Sequence, residues 1–78
     1  MREKKDYMVL TFRTTTEAMA MEKQCGGQQI PGRLIPVPKA ITAGCGLAWR
    51  IGLEEYERYQ IAIDKLGISF QQTVALKL

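Results

Sequence analysis

The pattern of apolar and polar positions, together with two prolines, predicts four strands in this chain. Residues 7–12 (YMVLTF) are apolar at five of six positions, which predicts a strand at the centre of a sheet. Residues 33–38 contain two prolines, which cannot donate to a ladder, so they are expected to form an edge strand. Residues 47–51 alternate directly after a cysteine, and residues 68–78 alternate as expected of a strand with one buried face.

The first helix is predicted from a capping signal and an apolar stripe. Thr14 and Glu17 have the spacing of a capping box, in which side chains satisfy free backbone donors at a helix start. The stripe, at helical spacings of three and four, consists of Ala18, Met21 and Cys25. The pair Gly26-Gly27 is expected to end the helix by supplying its left-handed C-terminal position.

The second helix is predicted to begin after Gly52, with Glu54 and Glu55 in its first turn, where the helix dipole favours acidic groups. Its core stripe is Leu53, Tyr56, Tyr59, Ile63 and Leu66. Gly67 is expected to close it. Together the elements follow the order β-α-β-β-α-β.

This order predicts an α+β, ferredoxin-like sandwich, in which a four-stranded antiparallel sheet carries both helices on one face. The 78 residues are expected to form a single domain, with residues 1–6 as a charged N-terminal extension. In this topology the loop 39–44 before Cys45 lies at the same end as the start of the first helix. Cys25 lies about 16 Å away along that helix, so no internal disulfide is expected.

Composition excludes several classes of function. The hydrophobic fraction of 46% and the charged fraction of 24% are typical of a soluble globular domain, and we expect a cytoplasmic protein that binds no membrane. The net charge of +3 is spread along the chain, which argues against nucleic acid. With two cysteines and no histidine, neither a metal site nor a cofactor is expected.

Cys45 is the candidate reactive group. Gly44 and Gly46 leave its thiol unshielded, and a strand beginning directly after it would hold it on a rigid rim. The first helix, starting at Thr14, would direct free N–H groups toward this loop and favour a thiolate. Positive charge could come from Arg13, Arg33 and Arg50. The plainer interpretation is a small residue that fills a loop, whereas Cys25 is expected to be buried and inert.

Two segments carry a resemblance to a known family. The R-L-I-P-V-P segment at 33–38, followed by C-G-L-A-W-R at 45–50, resembles the family of small selenium/sulfur carrier-like proteins. The similarity spans roughly residues 7–76. Positions that match are Arg33, Pro36, Cys45, Gly46 and Arg50, whereas Trp49 stands where a smaller aliphatic residue is expected.

The resemblance implies a role in bacterial sulfur or selenium metabolism. Cys45 would hold a sulfane sulfur or selenium atom as a persulfide or its selenium analogue, with Arg50 stabilising the terminal atom. The partners would be donor and acceptor proteins, and the chain would be a carrier more than an enzyme. The alternative is a ferredoxin-like interaction module that uses the open sheet face around Trp49 and has a structural cysteine. The cargo atom and a homodimer through an exposed strand edge stay open.

Overall fold

The computed structural model describes residues 4–41 and 44–78. In chain order the elements are β1 (Asp6–Thr11), α1 (Thr15–Gln28), β2 (Arg33–Pro36), β3 (Leu47–Gly52), α2 (Leu53–Asp64) and β4 (Thr73–Lys77). The predicted β-α-β-β-α-β order is therefore confirmed. Of the predicted extension 1–6, residues 1–3 lie outside the described residues, whereas Lys5 pairs with Leu78 through two backbone hydrogen bonds.

The four strands form one antiparallel sheet in the order β2-β3-β1-β4. This order, with both helices packed on the same core, is compatible with the predicted ferredoxin-like fold. β1 occupies the centre and β2 an edge, as expected. Pairing of β2 continues one residue past the strand, because the Val37 N–H donates to the Gly46 carbonyl at 3.0 Å. Both ends of the loop that contains Cys45 are thereby tied to the sheet.

The core lies between the sheet and the helices. α1 packs mainly on β3 and β2, and α2 on β1 and β3. Buried side chains from β1, α1, β3 and α2, and from the segments that directly follow β1 and α1, form one cluster: Leu10, Phe12, Ala18, Met21, Cys25, Ile30, Trp49, Ile51 and Ile63. The predicted stripe of α1 is thus confirmed. No helix in the described part of the chain has the length and apolar character needed to span a membrane.

Trp49 belongs to this core, since only 3% of its surface is exposed. Its indole lies against Gly32, whose φ is +122° and where an added Cβ would overlap the indole ring. Gly32 therefore leaves the space that a tryptophan needs at this position. The alternative interpretation, an interaction surface around Trp49 on the open sheet face, is wrong, because strand alternation turns the ring toward the helices.

The first helix ends later than predicted. It continues through Gly26 and Gly27, and the left-handed residue is Gln29, with a φ of 58°. The N–H groups of Gln29 and Ile30 both bond to the Cys25 carbonyl, and the Ile30 side chain is buried. The end of the helix is therefore decided by the docking of Ile30, whereas the two glycines simply adopt helical angles. Gly67, by contrast, has the expected positive φ after α2.

The last strand is shorter than predicted, since β4 begins only at Thr73. The Gln71 N–H donates to the Thr11 carbonyl at 2.8 Å, and the Thr11 N–H donates to the Gln72 carbonyl at 2.9 Å. Two consecutive residues thus oppose one residue of the neighbouring strand, which is a β-bulge. The extra residue interrupts the regular alternation at this point.

The bulge sends the two halves of the predicted strand to opposite faces. Before it, Phe70 packs against Phe12 on the helix side, with ring centroids 5.7 Å apart. After it, Val74 and Leu76 pair with β1 residues of the face that the helices leave uncovered. A single buried face from residue 68 to residue 78 was therefore the wrong interpretation of this segment.

Candidate functional site

The Cys45 loop is held at the end of the sheet where β2 finishes and β3 begins. Gly46 is tied to Val37 as described above, and the Gly44 N–H donates to the side-chain oxygen of Gln71 at 3.0 Å. Cys45 therefore lies between two anchored residues. Of the predicted loop 39–44, residues 42 and 43 lie outside the described residues.

The loop also lies beside the segment that leads into α1. A Cβ added at Gly44 would be 3.4 Å from the backbone oxygen of Arg13, at the limit of comfortable contact. The expected proximity of the Cys45 loop to the start of the first helix is thus confirmed for these two residues. The contact involves the Arg13 backbone, and the residue itself is exposed.

Gly46 is the glycine whose conformation matters most in this loop. Its φ is +79°, a left-handed value that residues with a Cβ rarely adopt, although no atom would obstruct the Cβ itself. Because Gly46 also accepts the hydrogen bond from Val37, its backbone angle directs the chain from the Cys45 loop into β3. The backbone therefore favours a glycine at this position.

The Cys45 thiol is half-buried. Its side chain packs against the edge of the core, and the Sγ–H points to the Leu47 carbonyl at 3.6 Å, the distance of a weak sulfur hydrogen bond. One side of the sulfur thus rests on packed atoms while part of the residue stays accessible. The thiol loses this hydrogen bond when its proton leaves or when the sulfur is modified.

Cys25 is the opposite case. It is fully buried on the inner face of α1, and this burial raises the pKa of its thiol from 9.0 to about 11, because desolvation penalises the charged thiolate. The prediction that Cys25 is a buried core residue is confirmed. Both cysteines are free thiols.

Arg33 and Arg50 lie together, but away from the sulfur. They are direct partners across β2 and β3, so both are on the face opposite to Leu47 and Trp49. The Arg50 guanidinium stacks over the Tyr7 ring, 4.6 Å from its centroid. Because Arg50 follows Leu47 by three strand residues, about 10 Å of β3 separate it from the beginning of the strand.

Thr14 is used at the N-terminus of α1. Its hydroxyl oxygen accepts a hydrogen bond from the Glu17 N–H at 3.2 Å, and the hydroxyl donates to the Glu17 carboxylate at 3.1 Å. The predicted cap at Thr14 is confirmed, whereas the Glu17 carboxylate bonds the Thr14 hydroxyl and not a backbone donor as a capping box would. One of the free N–H groups of the helix is therefore already satisfied, and a carboxylate already lies next to the positive end of the helix dipole.

Comparison with known proteins identifies the family. The family model described as "Putative Se/S carrier protein-like" matches residues 7–75, from the second residue of β1 to the middle of β4. The chain belongs to this family. Neither a curated protein nor a solved structure matches it significantly. The resemblance inferred from the segments around Pro36 and Cys45 is thereby confirmed, and a carrier family implies donor and acceptor proteins as partners.

One residue of this Se/S carrier-like chain was not found from the sequence. Gln71 anchors Gly44 across 27 positions of sequence, yet in the pattern it was simply an outward polar residue of the last strand. Its role depends on the β-bulge, which turns the chain at residues 71 and 72 beside Thr11. A glutamine with no partner close in sequence gives no signal of such a contact.

The described residues contain no group of three or more His, Cys, Asp or Glu side chains that could bind a metal ion. A cavity of about 470 Å³ lies where β1 begins and α2 follows β3, lined by Lys5, Asp6, Gly52, Leu53, Glu54 and Glu55. Since β3 runs away from the Cys45 loop, this cavity is at the other end of the sheet. Cys45 thus lies on the surface of a loop and not in that cavity.

Proposed function

We propose that this protein carries a sulfane sulfur or selenium atom on Cys45 between a donor and an acceptor protein. The observation that carries the proposal is the difference between the two thiols of a member of the Se/S carrier-like family. Cys45 is partly accessible on an anchored loop, whereas Cys25 is enclosed in the core. A group that must receive an atom from a second protein needs to reach the surface of the first.

The transfer step is a thiol exchange. The Cys45 thiolate attacks the terminal sulfur of a persulfide on the donor, a new S–S bond forms on Cys45, and the S–S bond of the donor breaks. The donor cysteine leaves as a thiolate, so no net oxidation or reduction occurs. The same exchange in reverse delivers the atom to an acceptor thiol. Such a carrier belongs in the cytoplasm, where reducing conditions keep Cys45 free.

The neighbouring residues have different parts in this proposal. Gly44 and Gly46 have no side chains that would cover the sulfur. Arg13 and Thr14 lie at the nearby start of α1. The Gly44 N–H is occupied by Gln71, so it is not available to bind a terminal sulfur anion. Arg33 and Arg50 lie on the open face of the sheet, from which they would act on a docked partner and not on the sulfur itself.

The experiment loads the protein with sulfur and then measures its intact mass by mass spectrometry. The protein is incubated with a cysteine desulfurase and cysteine, and the mass is compared for wild type, Cys45→Ser and Cys25→Ala. We expect wild type and Cys25→Ala to gain one sulfur mass and Cys45→Ser to gain none. Selenocysteine as the source asks, by the same readout, whether selenium is carried as well.

Alkylation of Cys45 by a small thiol reagent is the matched control. It distinguishes a donor that cannot load this protein from a wrong assignment of the carrier cysteine. If Cys45 is alkylated by a small thiol reagent but gains no sulfur, the carrier role fails for that donor. If Cys45→Ser still gains sulfur, the assignment of Cys45 fails. Loss of loading in Cys25→Ala, with the fold intact by circular dichroism, would likewise contradict the proposal.

The second candidate is a protein-interaction module with a structural cysteine. One observation favours it: Arg33 and Arg50 stand side by side, although like charges opposite each other destabilise a strand pair. A docked acidic surface would relieve that repulsion. In this case partner binding would survive Cys45→Ser and be lost in Arg33→Ala. A carrier, by contrast, would lose sulfur transfer in Cys45→Ser.

A further inference from the structure

The sheet has two outer strands, β2 and β4, and within residues 4–41 and 44–78 each has one edge without a neighbouring strand. On β4 the hydrogen-bond pattern shows which groups point outward. Lys5 and Leu78 exchange two backbone hydrogen bonds, of 3.1 and 3.0 Å. Because bonded pairs recur at every second residue, Val74 and Leu76 also direct their N–H and C=O groups toward β1. The alternate residues point outward: Thr73, Ala75 and Lys77.

The edge of β2 is different. The bond from the Val37 N–H to Gly46 places the inward groups of this segment at residues 33, 35 and 37. The outward positions are therefore Leu34, Pro36 and Pro38. Since two of these are prolines, which have no N–H, this edge cannot accept a further strand along its length. The edge of β4 has a donor at every outward position.

We propose that the free edge of β4 pairs with β4 of a second copy of this chain, antiparallel, about a two-fold axis through Ala75. In this register Ala75 faces Ala75 of the other copy, and Thr73 faces Lys77. Each outward N–H and C=O then has a partner, giving about six hydrogen bonds. If the two-fold axis moves by one residue in either direction, the outward backbone groups of Thr73 or of Lys77 in each copy lose their hydrogen-bond partners.

The side chains fit the same register. Lys77 faces Thr73, so the two lysines do not oppose each other across the pair. On the uncovered face of the sheet, half-buried Val74 comes opposite Leu76 of the second copy, which adds an aliphatic pair on each side of the axis. At the axis itself the small, exposed Ala75 leaves room for the approaching strand. A surface that complements itself under a two-fold axis is the requirement for a symmetric dimer.

The proposed dimer depends on the free edge of β4 and does not involve the Cys45 thiol. β4 begins beside Gln71, which holds the Cys45 loop, so antiparallel pairing places the two Cys45 residues at opposite ends of the joined sheet. With only five residues in β4, the buried area is below that of a standard interface, and we expect a dimer that dissociates on dilution. The Cys45 thiols of both copies therefore stay accessible to donor proteins.

Disulfide trapping tests the register directly. In a Cys45→Ser background, Ala75→Cys places two thiols at a Cα separation of about 5.5 Å, inside the range of a disulfide. Thr73→Cys is the matched control, because its two copies lie about 13 Å apart. Under mild oxidation we expect covalent dimers from Ala75→Cys and none from Thr73→Cys alone. A mixture of Thr73→Cys and Lys77→Cys proteins should cross-link.

Sedimentation equilibrium of the unmodified chain provides the second arm. We expect reversible dimers that are lost in Ala75→Pro, which removes the central outward N–H without touching the β1 ladder, and kept in Ala75→Ser. Far-ultraviolet circular dichroism checks that both variants fold. A chain that is monomeric at every concentration overturns the proposal, as does cross-linking of Thr73→Cys as fast as Ala75→Cys, or a dimer that Ala75→Pro leaves unchanged.

Discussion

Both cysteines of this chain stand beside two glycines, and the surrounding backbone gives the two groups opposite properties. Around Cys25 the glycines are helical and continue α1, so the thiol is enclosed by the core. Around Cys45 one glycine has a positive φ and the other is tied to a distant side chain, so the thiol rests on a loop at the end of the sheet. The local sequences are similar, but the two sulfur atoms differ in their access to solvent.

The largest expected difference is in chemical reactivity. We expect Cys45 to react directly in the folded protein, whereas Cys25 should react only when the core opens. With a typical unfolding free energy of at least about 5 kcal/mol, we expect alkylation of Cys45 to be at least ~10³-fold faster. Single-cysteine variants followed by mass spectrometry give both rates. Similar rates would mean that Cys25 is not enclosed.

The second difference is the response to alkaline pH. The unfolded chain releases the Cys25 proton from about pH 9, whereas the folded chain keeps it until about pH 11. The contribution of the Cys25 thiol to the unfolding free energy is therefore fully present below pH 9. It is lost as the pH rises to about 11, a decrease of about 3 kcal/mol in total. Urea unfolding across this range should show a steeper loss for wild type than for Cys25→Ala. Parallel curves would contradict the raised pKa.

The glycines themselves should respond in opposite directions to alanine. Gly46→Ala forces a Cβ into a left-handed conformation and should destabilise the fold by about 1–2 kcal/mol. Gly27→Ala occupies open space in a helix and should stabilise it by about 0.5–1 kcal/mol. Thermal unfolding measures both. The contrast fails if the two variants shift the midpoint in the same direction.

The smallest effect is expected at the anchor of the loop. Gln71→Ala removes an exposed hydrogen bond to Gly44 and should lower the unfolding free energy by about 1 kcal/mol or less. Hydrogen exchange of the Gly44 amide should accelerate, while the amides of α1 near Cys25 keep their protection. Gln71→Glu retains an acceptor and is the matched control. Equal exchange in all three proteins would exclude Gln71 as the anchor.

Much of the fold could be predicted because its causes are local. The apolar run of β1, the cap at Thr14 and the stripe ending in Cys25 each depend on residues within a few positions of one another. The end of α1 was misplaced because it depends on where Ile30 docks. The start of β4 was misplaced because the bulge is a set of hydrogen bonds between Gln71, Gln72 and Thr11, about 60 residues apart.

The candidate site was predictable to a similar degree. Topology alone placed the Cys45 loop beside the start of the first helix, and the structure brings Gly44 to Arg13 there. The position of Arg50 was partly encoded too, since it alternates with Leu47 and Trp49 and so lies on the other face. The anchoring glutamine was not, because nothing near Gln71 in the sequence connects it with Gly44.

The most direct test of the carrier role uses the unmodified chain. After loading from a cysteine desulfurase, the persulfide is capped by alkylation and the protein is cleaved after Lys and Arg. The two thiols then fall in separate peptides, Cys25 in residues 24–33 and Cys45 in residues 40–50. We expect the extra sulfur in the peptide 40–50 alone. Extra sulfur in the peptide 24–33, or in neither while the donor itself is charged, would contradict the account.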